Sequence, residues 1–256
     1  MPTAIISSTD PFKNPTILKN LLGKVKDNRI AERAPSNSVA LVICDALREY
    51  VNQPPKLTDR LIWVLDQLEN FQFNKYEDIV LSQVYWAPGG TLPKTKSLRH
   101  RRVTPELIAR ASVVVLCGGN THALLQSFRA NNPVLEALKT TVSENRCLLL
   151  AWSAGATSAG CSVEHTIDSD SPLTLRLNQQ PCLRGLSLFP NYSFAPHRQR
   201  AEHDTLIRYL RRRQPLYYGN DNSWLVLLPD GASLVFCQSQ DPVSWNSGSI
   251  GWARMG

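Results

Sequence analysis

Short apolar runs alternate with amphipathic segments over the first two thirds of the chain. The apolar runs TAIISS (3–8), SVALVICDA (38–46), DIVLSQV (78–84), ASVVVLCGG (111–119) and RCLLLAW (146–152) predict strands. Leucines and other apolar residues at helical spacing predict helices over 15–27, 57–71, 104–110, 121–130 and 132–145. Near-continuous apolar strands that alternate with helices are typical of a parallel sheet covered on both faces. The pattern therefore predicts an α/β fold.

The alternation weakens after about residue 160. The segment 161–185 is polar and loop-like, 202–212 (EHDTLIRYLRR) predicts a helix, and 223–238 (SWLVLLPDGASLVFCQ) predicts a hairpin that turns at 229–231. The last sixteen residues contain turn formers and two tryptophans, and their pattern assigns them to no element. No repeat or low-complexity linker divides the chain, so we expect a single α/β domain over residues 1–256.

Composition narrows the class of protein. The chain of 256 residues is 43% hydrophobic and 19% charged, as in soluble globular proteins, and its formal net charge is +7. Basic residues concentrate at 94–102 and 211–213, but no nucleic-acid-reading motif accompanies them. We therefore read these runs as solvated, expect no nucleic-acid partner, and infer at most a modest preference for acidic ligands.

Cysteine usage and the N-terminal sequence indicate a cytoplasmic protein. The six cysteines form no CxxC pair and mostly lie in or beside apolar runs, which favours reduced, buried thiols over disulfides or a zinc site. The first residues carry no basic and apolar signal pattern, and no apolar stretch is long enough to span a bilayer, so we expect no membrane partner.

The segment LLLAWSAGATSAG (148–160) carries the strongest chemical signal. A strand-like run meets Ser153 and passes at once into small residues, with Ala151 two positions before the serine and Gly155 two positions after it. A nucleophile elbow, the sharp strand-turn-helix that presents a catalytic serine, requires small residues at those positions. The alternative is a serine that only caps the following helix. The local pattern leaves the two interpretations open.

A nucleophilic serine needs a base and an acid that orients the base. Among five histidines, His197 follows a strand-like stretch downstream of the elbow, and His165 is its competitor. Asp168 and Asp170 lie between Ser153 and His197. The glycines of VVVLCGGNT (113–121) also follow a strand, but they lack the spacings of nucleotide-binding loops.

Four short motifs, taken in order, carry a family resemblance. GGNTHALL (118–125), AWSAGATSAG (151–160), DSP (170–172) and PH (196–197) resemble the serine peptidase family of aspartyl dipeptidase (peptidase E) and cyanophycinase. The resemblance covers roughly residues 38–230. It implies a three-layer, flavodoxin-like sandwich of the class I glutamine amidotransferase type, with a mainly parallel central sheet.

The resemblance also implies roles for individual residues. Ser153 matches the nucleophile, His197 the base, and Asp170 the orienting acid, because Asp170 rather than Asp168 fits the Asp-x-Pro pattern. The backbone of Gly118 and Gly119, beside the N–H of Ala154, matches the oxyanion hole.

Substrate contacts are expected next to these residues. We expect Asn120 and Thr121, which follow the glycine pair, to contact substrate, together with Arg198 and Arg200 after the histidine. The two arginines suit a substrate carboxylate, although they are equally well explained as exposed loop charges. The segment 219–224 is expected to line the pocket. No metal or organic cofactor is needed for this chemistry, and no metal-ligating pattern suggests one.

The sequence thus predicts a cofactor-free serine peptidase that acts on a small acidic peptide, with an Asp-Xaa dipeptide as the leading substrate. A cyanophycinase-like or β-aspartyl peptide hydrolase, or a family member that tailors a specialised peptide, is the first alternative. A ligand-binding homologue without turnover is the second, and a nucleic-acid-associated protein is the third. The loop after His197 and the spacing between Ser153 and Asp170 differ from the dipeptidase pattern, so the substrate stays open. A homodimer is also left open.

Overall fold

The computed structural model describes residues 3–8, 16, 18, 20–21, 39–46, 78–83, 101–163, 184–196, 216–218, 223–228, 233–237 and 253–255. The helices predicted over 57–71 and 202–212 lie outside these ranges, as do the basic run 211–213 and the turn of the predicted hairpin. Of the helix predicted over 15–27, the helical residues 16, 18, 20 and 21 are described.

Eleven strands lie within the described residues. They are β1 Ala4–Ser7, β2 Val39–Ile43, β3 Asp78–Gln83, β4 Arg101–Arg102, β5 Ala111–Leu116, β6 Leu148–Trp152, β7 Ser193–Ala195, β8 Leu216–Tyr218, β9 Ser223–Leu227, β10 Ser233–Cys237 and β11 Ala253–Met255. Each of the five apolar runs that predict strands contains one of them, and β9 and β10 form the predicted antiparallel hairpin.

Four complete helices lie between these strands in the described part of the chain. They are α1 Pro105–Ala109, α2 Thr121–Arg129, α3 Asn132–Ser143 and α4 Ala154–Ala159. Side-chain caps start two of them: Thr104 Oγ1 accepts a hydrogen bond from the Leu107 N–H at 3.2 Å, and Asn120 Oδ1 accepts one from the Ala123 N–H at 2.9 Å. Such caps satisfy backbone donors that the first turn of a helix leaves unpaired.

The main sheet has the strand order β10-β9-β1-β6-β5-β2-β3-β4. The six strands from β1 to β4 in that order pair in parallel, whereas β9 pairs antiparallel with both β1 and β10. The mainly parallel sheet and the α/β class predicted from the sequence are confirmed. The basic run 94–102, read above as solvated, ends in β4, so its last two residues extend the edge of the sheet.

Both faces of the sheet are buried. One face packs against α1–α4 in a single apolar cluster, to which alternate strand residues such as Ile6, Leu116 and Leu149 contribute. Their neighbours Val115 and Leu150 point to the opposite face and are also fully buried. Burial on both faces explains why these strands read as continuous apolar runs instead of alternating ones.

A second, three-stranded sheet has the order β11-β8-β7. β7 and β8 pair in parallel, and β11 pairs antiparallel with β8. The sequence did not predict this sheet: β11 lies in the C-terminal segment that the pattern left unassigned. Its strands are only three residues long, too short to show a periodicity.

The cysteine side chains that the structure describes form no disulfide bonds. Cys44, Cys117 and Cys147 are buried, and Cys161 is partly exposed. Burial raises the pKa of the Cys147 thiol to about 12, so this sulfur stays protonated and behaves as a small apolar group.

None of the helices in the described ranges is long and apolar enough to cross a membrane.

One contact in this fold predicts a clear stability effect. A Cβ on Gly155 would lie 2.2 Å from the carbonyl oxygen of Leu116, so α4 crosses the end of β5 at a distance that only glycine allows. We expect Gly155→Ala to lower the free energy of unfolding by about 1–3 kcal/mol, the usual cost of overpacking a core. Urea denaturation of the variant and of the unsubstituted chain measures this difference in the free energy of unfolding.

The control is Thr140→Ala, a substitution at an exposed position of α3, which should change the free energy of unfolding by no more than about 0.5 kcal/mol. Equal stability of the Gly155→Ala variant and the unsubstituted chain would contradict the close crossing.

Candidate active site at the carboxyl edge of the sheet

The carboxyl ends of β1, β2, β5 and β6 meet at one edge of the sheet, because the four strands are parallel neighbours. Backbone hydrogen bonds join the segments that follow them. The Cys117 N–H donates to Ile43 O at 3.2 Å, the Asn120 N–H to Ala46 O at 2.7 Å, and the Ser153 N–H to Ser7 O at 3.0 Å. Ligands of open α/β sheets bind at this edge.

Ser153 occupies a strained turn between β6 and α4. Its φ of 48° and ψ of −118° lie outside the conformations that residues other than glycine usually adopt. Thr104 and Asn120, which cap α1 and α2, instead have extended backbones and accept hydrogen bonds through their side chains. The Ser153 side chain makes no cap hydrogen bond with α4. The alternative that Ser153 serves as an ordinary helix cap is therefore not supported.

Small residues surround this turn for identifiable reasons. Gly155 lies directly against the carbonyl of Leu116, as described above. Ala151 is 1% exposed and belongs to the apolar cluster between the sheet and α1–α4. Both flanking positions are thus confined by neighbouring atoms, which is the geometry that a nucleophile elbow requires.

The glycine pair after β5 lies beside the elbow. A Cβ on Gly118 would lie 3.1 Å from Ser153 Cβ, so the backbone at 118 is in the immediate neighbourhood of the serine. Gly119 has a φ of 140°, and a Cβ there would lie 2.2 Å from Ala46 O. Only glycine tolerates both that dihedral and that close approach. The fold therefore brings Gly118, Gly119 and Ser153, with Ala154 next in sequence, to one place.

The side chains of Asn120 and Thr121 are mostly buried. Asn120 is 6% exposed and its oxygen caps α2, while Thr121 is 3% exposed. Asn120 also anchors the glycine turn, because its N–H donates to Ala46 O. The structure thus gives Asn120 a clear structural task, and the substrate contacts expected of both residues stay predictions.

The segment after α4 is bonded to β7. The Cys161 N–H donates to Tyr192 O at 2.8 Å, and the Ser162 N–H donates to Ser193 Oγ at 3.2 Å. Cys161 Sγ lies 3.3 Å from the same hydroxyl oxygen. β7 ends at Ala195, two residues before His197. The strand predicted to precede this histidine is present, and hydrogen bonds connect it to the segment that directly follows α4.

Several predicted site residues lie outside the described residues. They are His197, Asp170, Arg198 and Arg200, together with the alternatives His165 and Asp168. Their assigned roles stay predictions. Within the described ranges, no group of three or more His, Cys, Asp and Glu side chains is placed to hold a metal ion.

The structure places two further features at this edge. Asp45, 1% exposed, lies in the short turn after β2, directly before the Ala46 carbonyl that accepts the Asn120 N–H. Asp45 belongs to none of the predicted site motifs, although a carboxylate that ends an apolar run is itself a signal. β9 runs antiparallel to β1 with Trp224 opposite Ser7. Consequently β9 begins at the carboxyl edge, where the segment 219–224 is expected to line the pocket.

Comparison with known proteins identifies the family. The model of peptidase family S51 matches residues 91–241, which include the glycine pair, the strained Ser153 turn and β7. The chain belongs to peptidase family S51. This confirms the resemblance that the four motifs carried.

Two curated relatives give a measure of the similarity. The chain is 29% identical over 125 residues to Peptidase E of Haemophilus influenzae (strain PittGG), a match that covers 49% of this chain and 48% of the relative. It is 30% identical over 125 residues to Peptidase E of Actinobacillus pleuropneumoniae serotype 5b (strain L20), with the same coverage. The chain thus spans about half the length of the curated relatives it matches.

A solved structure extends the likeness to the whole fold. The crystal structure of a peptidase from an acI-B1 Actinobacterium has a TM-score of 0.60 and 16% sequence identity, and the alignment covers 93% of this chain and 88% of that chain. At this identity the likeness establishes the fold alone. The fold is therefore similar over nearly the whole chain, although little of the sequence is shared.

Two helix caps provide a test of the glycine turn. We expect Asn120→Ala and Thr104→Ala each to lower the free energy of unfolding by about 1 kcal/mol, because each removes one cap. Only Asn120→Ala should also slow the labelling of Ser153 by a serine-directed fluorophosphonate, because the cap that it removes directly follows the glycine turn beside that serine. Urea denaturation of both variants measures the loss of stability, and the rate of fluorophosphonate labelling measures the effect on Ser153. Equal labelling rates for both would show that the cap does not influence the site.

Proposed function

We propose that this member of family S51 is a serine peptidase that cleaves an amide bond of a small acidic peptide. The observation that carries the proposal is the backbone of Ser153, held at a φ of 48° with Gly118 directly beside it. Strain of this kind costs of order 1–3 kcal/mol and persists where surrounding packing enforces it, often at functional sites. A serine with only a structural role gains nothing from this conformation.

The proposed reaction needs no group beyond the chain itself. His197 accepts the proton of the Ser153 hydroxyl as the serine oxygen attacks the substrate carbonyl, and Asp170 holds the imidazole in the required tautomer. Backbone N–H groups at the glycine pair and at Ala154 stabilise the oxyanion, a contribution of about 3–4 kcal/mol for each donor in comparable sites. His197 then protonates the leaving amine, and water hydrolyses the acyl-enzyme.

An Asp-Xaa dipeptide is the proposed substrate. The formal charge of +7 favours acidic ligands in general, and Arg198 and Arg200, close to His197 in sequence, suit a carboxylate. The curated relatives that the chain matches are named Peptidase E. Cleavage of isoaspartyl or longer acidic peptides is the competing proposal within the same chemistry.

Covalent labelling tests the nucleophile directly. We expect the unsubstituted chain to gain the mass of one fluorophosphonate adduct, since an activated serine attacks the probe, and Ser153→Ala to gain none. Ser158→Ala is the matched control: Ser158 lies in α4, and its buried hydroxyl makes no hydrogen bond in the described structure. This control should be labelled like the unsubstituted chain. Intact mass is the measurement, and an equal adduct on Ser153→Ala would overturn the assignment.

Substitution of Asp170 and of Asp168 tests which of the two aspartates orients the histidine. We expect Asp170→Asn to lower kcat for Asp-Xaa hydrolysis by about 10³-fold or more, because the amide stabilises the wrong histidine tautomer. Asp168→Asn should retain most of the activity. Initial rates on Asp-Xaa and isoaspartyl dipeptides give both the acid and the substrate class. The reverse ranking would assign the role to Asp168, and ligand binding without turnover by the unsubstituted chain would favour the non-catalytic homologue.

A further inference from the structure

The indole of Trp152 packs directly against Gly118. A Cβ added to Gly118 would lie 2.7 Å from Trp152 Nε1 and 2.8 Å from Cδ1, which is closer than real Cβ atoms approach such atoms. The five-membered ring of the indole therefore fills the space where a side chain at position 118 would lie. Trp152 is 7% exposed, so this contact is largely closed to solvent.

Strand pairing fixes the tryptophan on both sides. Trp152 is the last residue of β6 and pairs with Ser7 of β1, and the next backbone N–H, that of Ser153, donates to Ser7 O at 3.0 Å. On the other side, Leu116 of β5 pairs with Ala151 of β6. Two residues beyond each of these partners, the chain reaches Gly118 and Ser153. The indole is thus anchored by the sheet at the point where the glycine turn passes the elbow.

The glycine turn needs such a support. A glycine backbone has more freedom than that of any other residue, so its N–H direction is poorly fixed unless neighbours confine it. Gly119 is confined by the Ala46 carbonyl, as described above. Gly118 has no positive φ, so its backbone would accept an alanine. What opposes a side chain there is the indole, with Ser153 Cβ next at 3.1 Å.

We infer that Trp152 is a positioning residue, whose indole holds the backbone of Gly118 at the distance from Ser153 that oxyanion stabilisation requires. The inference rests on the proposed function. Oxyanion donors act within about 2.7–3.1 Å of the oxygen, and a misplacement of about 1 Å can lower a rate by about 100-fold. Loss of the indole contact therefore lowers kcat and leaves substrate binding nearly unchanged.

A purely structural role for Trp152 makes a different prediction. A buried tryptophan that only fills the core lowers stability when it is replaced, and the rate of the folded enzyme stays the same. Phe128, which is fully buried in the apolar cluster at the far end of α2 from the glycine turn, has that role. It provides a control that loses packing without touching the turn.

The first experiment compares Trp152→Phe with Phe128→Leu. For Trp152→Phe we expect kcat on an Asp-Xaa dipeptide to fall about 10- to 100-fold, KM to stay within about twofold, and fluorophosphonate labelling of Ser153 to slow in parallel. Phe128→Leu should lose thermal stability and keep kcat. Equal kcat values for Trp152→Phe and the unsubstituted chain would overturn the inference.

A double-mutant cycle tests the contact itself and does not depend on the stability of one variant. Gly118→Ala should reduce labelling of Ser153 strongly, because the new methyl group meets the indole. Trp152→Ala removes the obstruction, so the double variant should be labelled faster than the product of the two single effects predicts. Effects that simply multiply would show that Trp152 and Gly118 act independently, and would overturn the inference.

The unsubstituted chain separates this inference from the proposed function. If it neither hydrolyses the peptide panel nor reacts with the fluorophosphonate, the proposed function fails, and the positioning role fails with it. If it is active and Trp152→Phe is equally active, the positioning role alone fails.

Discussion

The crossing of α4 over the end of β5 is the constraint on which the rest of the site depends. The Leu116 carbonyl lies so close to Gly155 that a helix with any larger residue there would have to move away from the sheet. Because β6 must turn into that helix within one residue, Ser153 takes a positive φ. The energy of that strained turn is offset by the packing of Ala154, Ala156 and Ala159 in the apolar cluster.

The same crossing places the elbow beside the glycine pair. β5 and β6 are adjacent and in parallel register, so the residues that follow them leave the sheet side by side. These segments pack closely because the residues at their contacts are glycines, which have no side chain. Gly155 makes room for β5, Gly118 makes room for the indole and the serine, and Gly119 makes room for the turn after β2. Substitution of any one of them disturbs a contact that two or more segments share.

The far end of α4 is tied to the strand that precedes the predicted base. Hydrogen bonds from Cys161 and Ser162 reach Tyr192, directly before β7, and Ser193, its first residue. One short helix thus lies between the turn that carries Ser153 and the strand that leads to His197. In the proposed mechanism, this connection gives the nucleophile Ser153 and the base His197 a common framework.

Local sequence predicted most strands of the main sheet, the described helices and the strand-turn-helix at Ser153. Apolar runs such as 111–116 and 148–152 predict strands because the driving interactions lie within a few residues of one another. The motif around Ser153 predicts a strand-turn-helix for the same reason. Tertiary structure alone decided the second sheet, because β7, β8 and β11 are short and pair over long separations. It alone also decided the packing of the Trp152 indole on Gly118, since that contact joins the end of β6 to the turn after β5, which is distant in sequence.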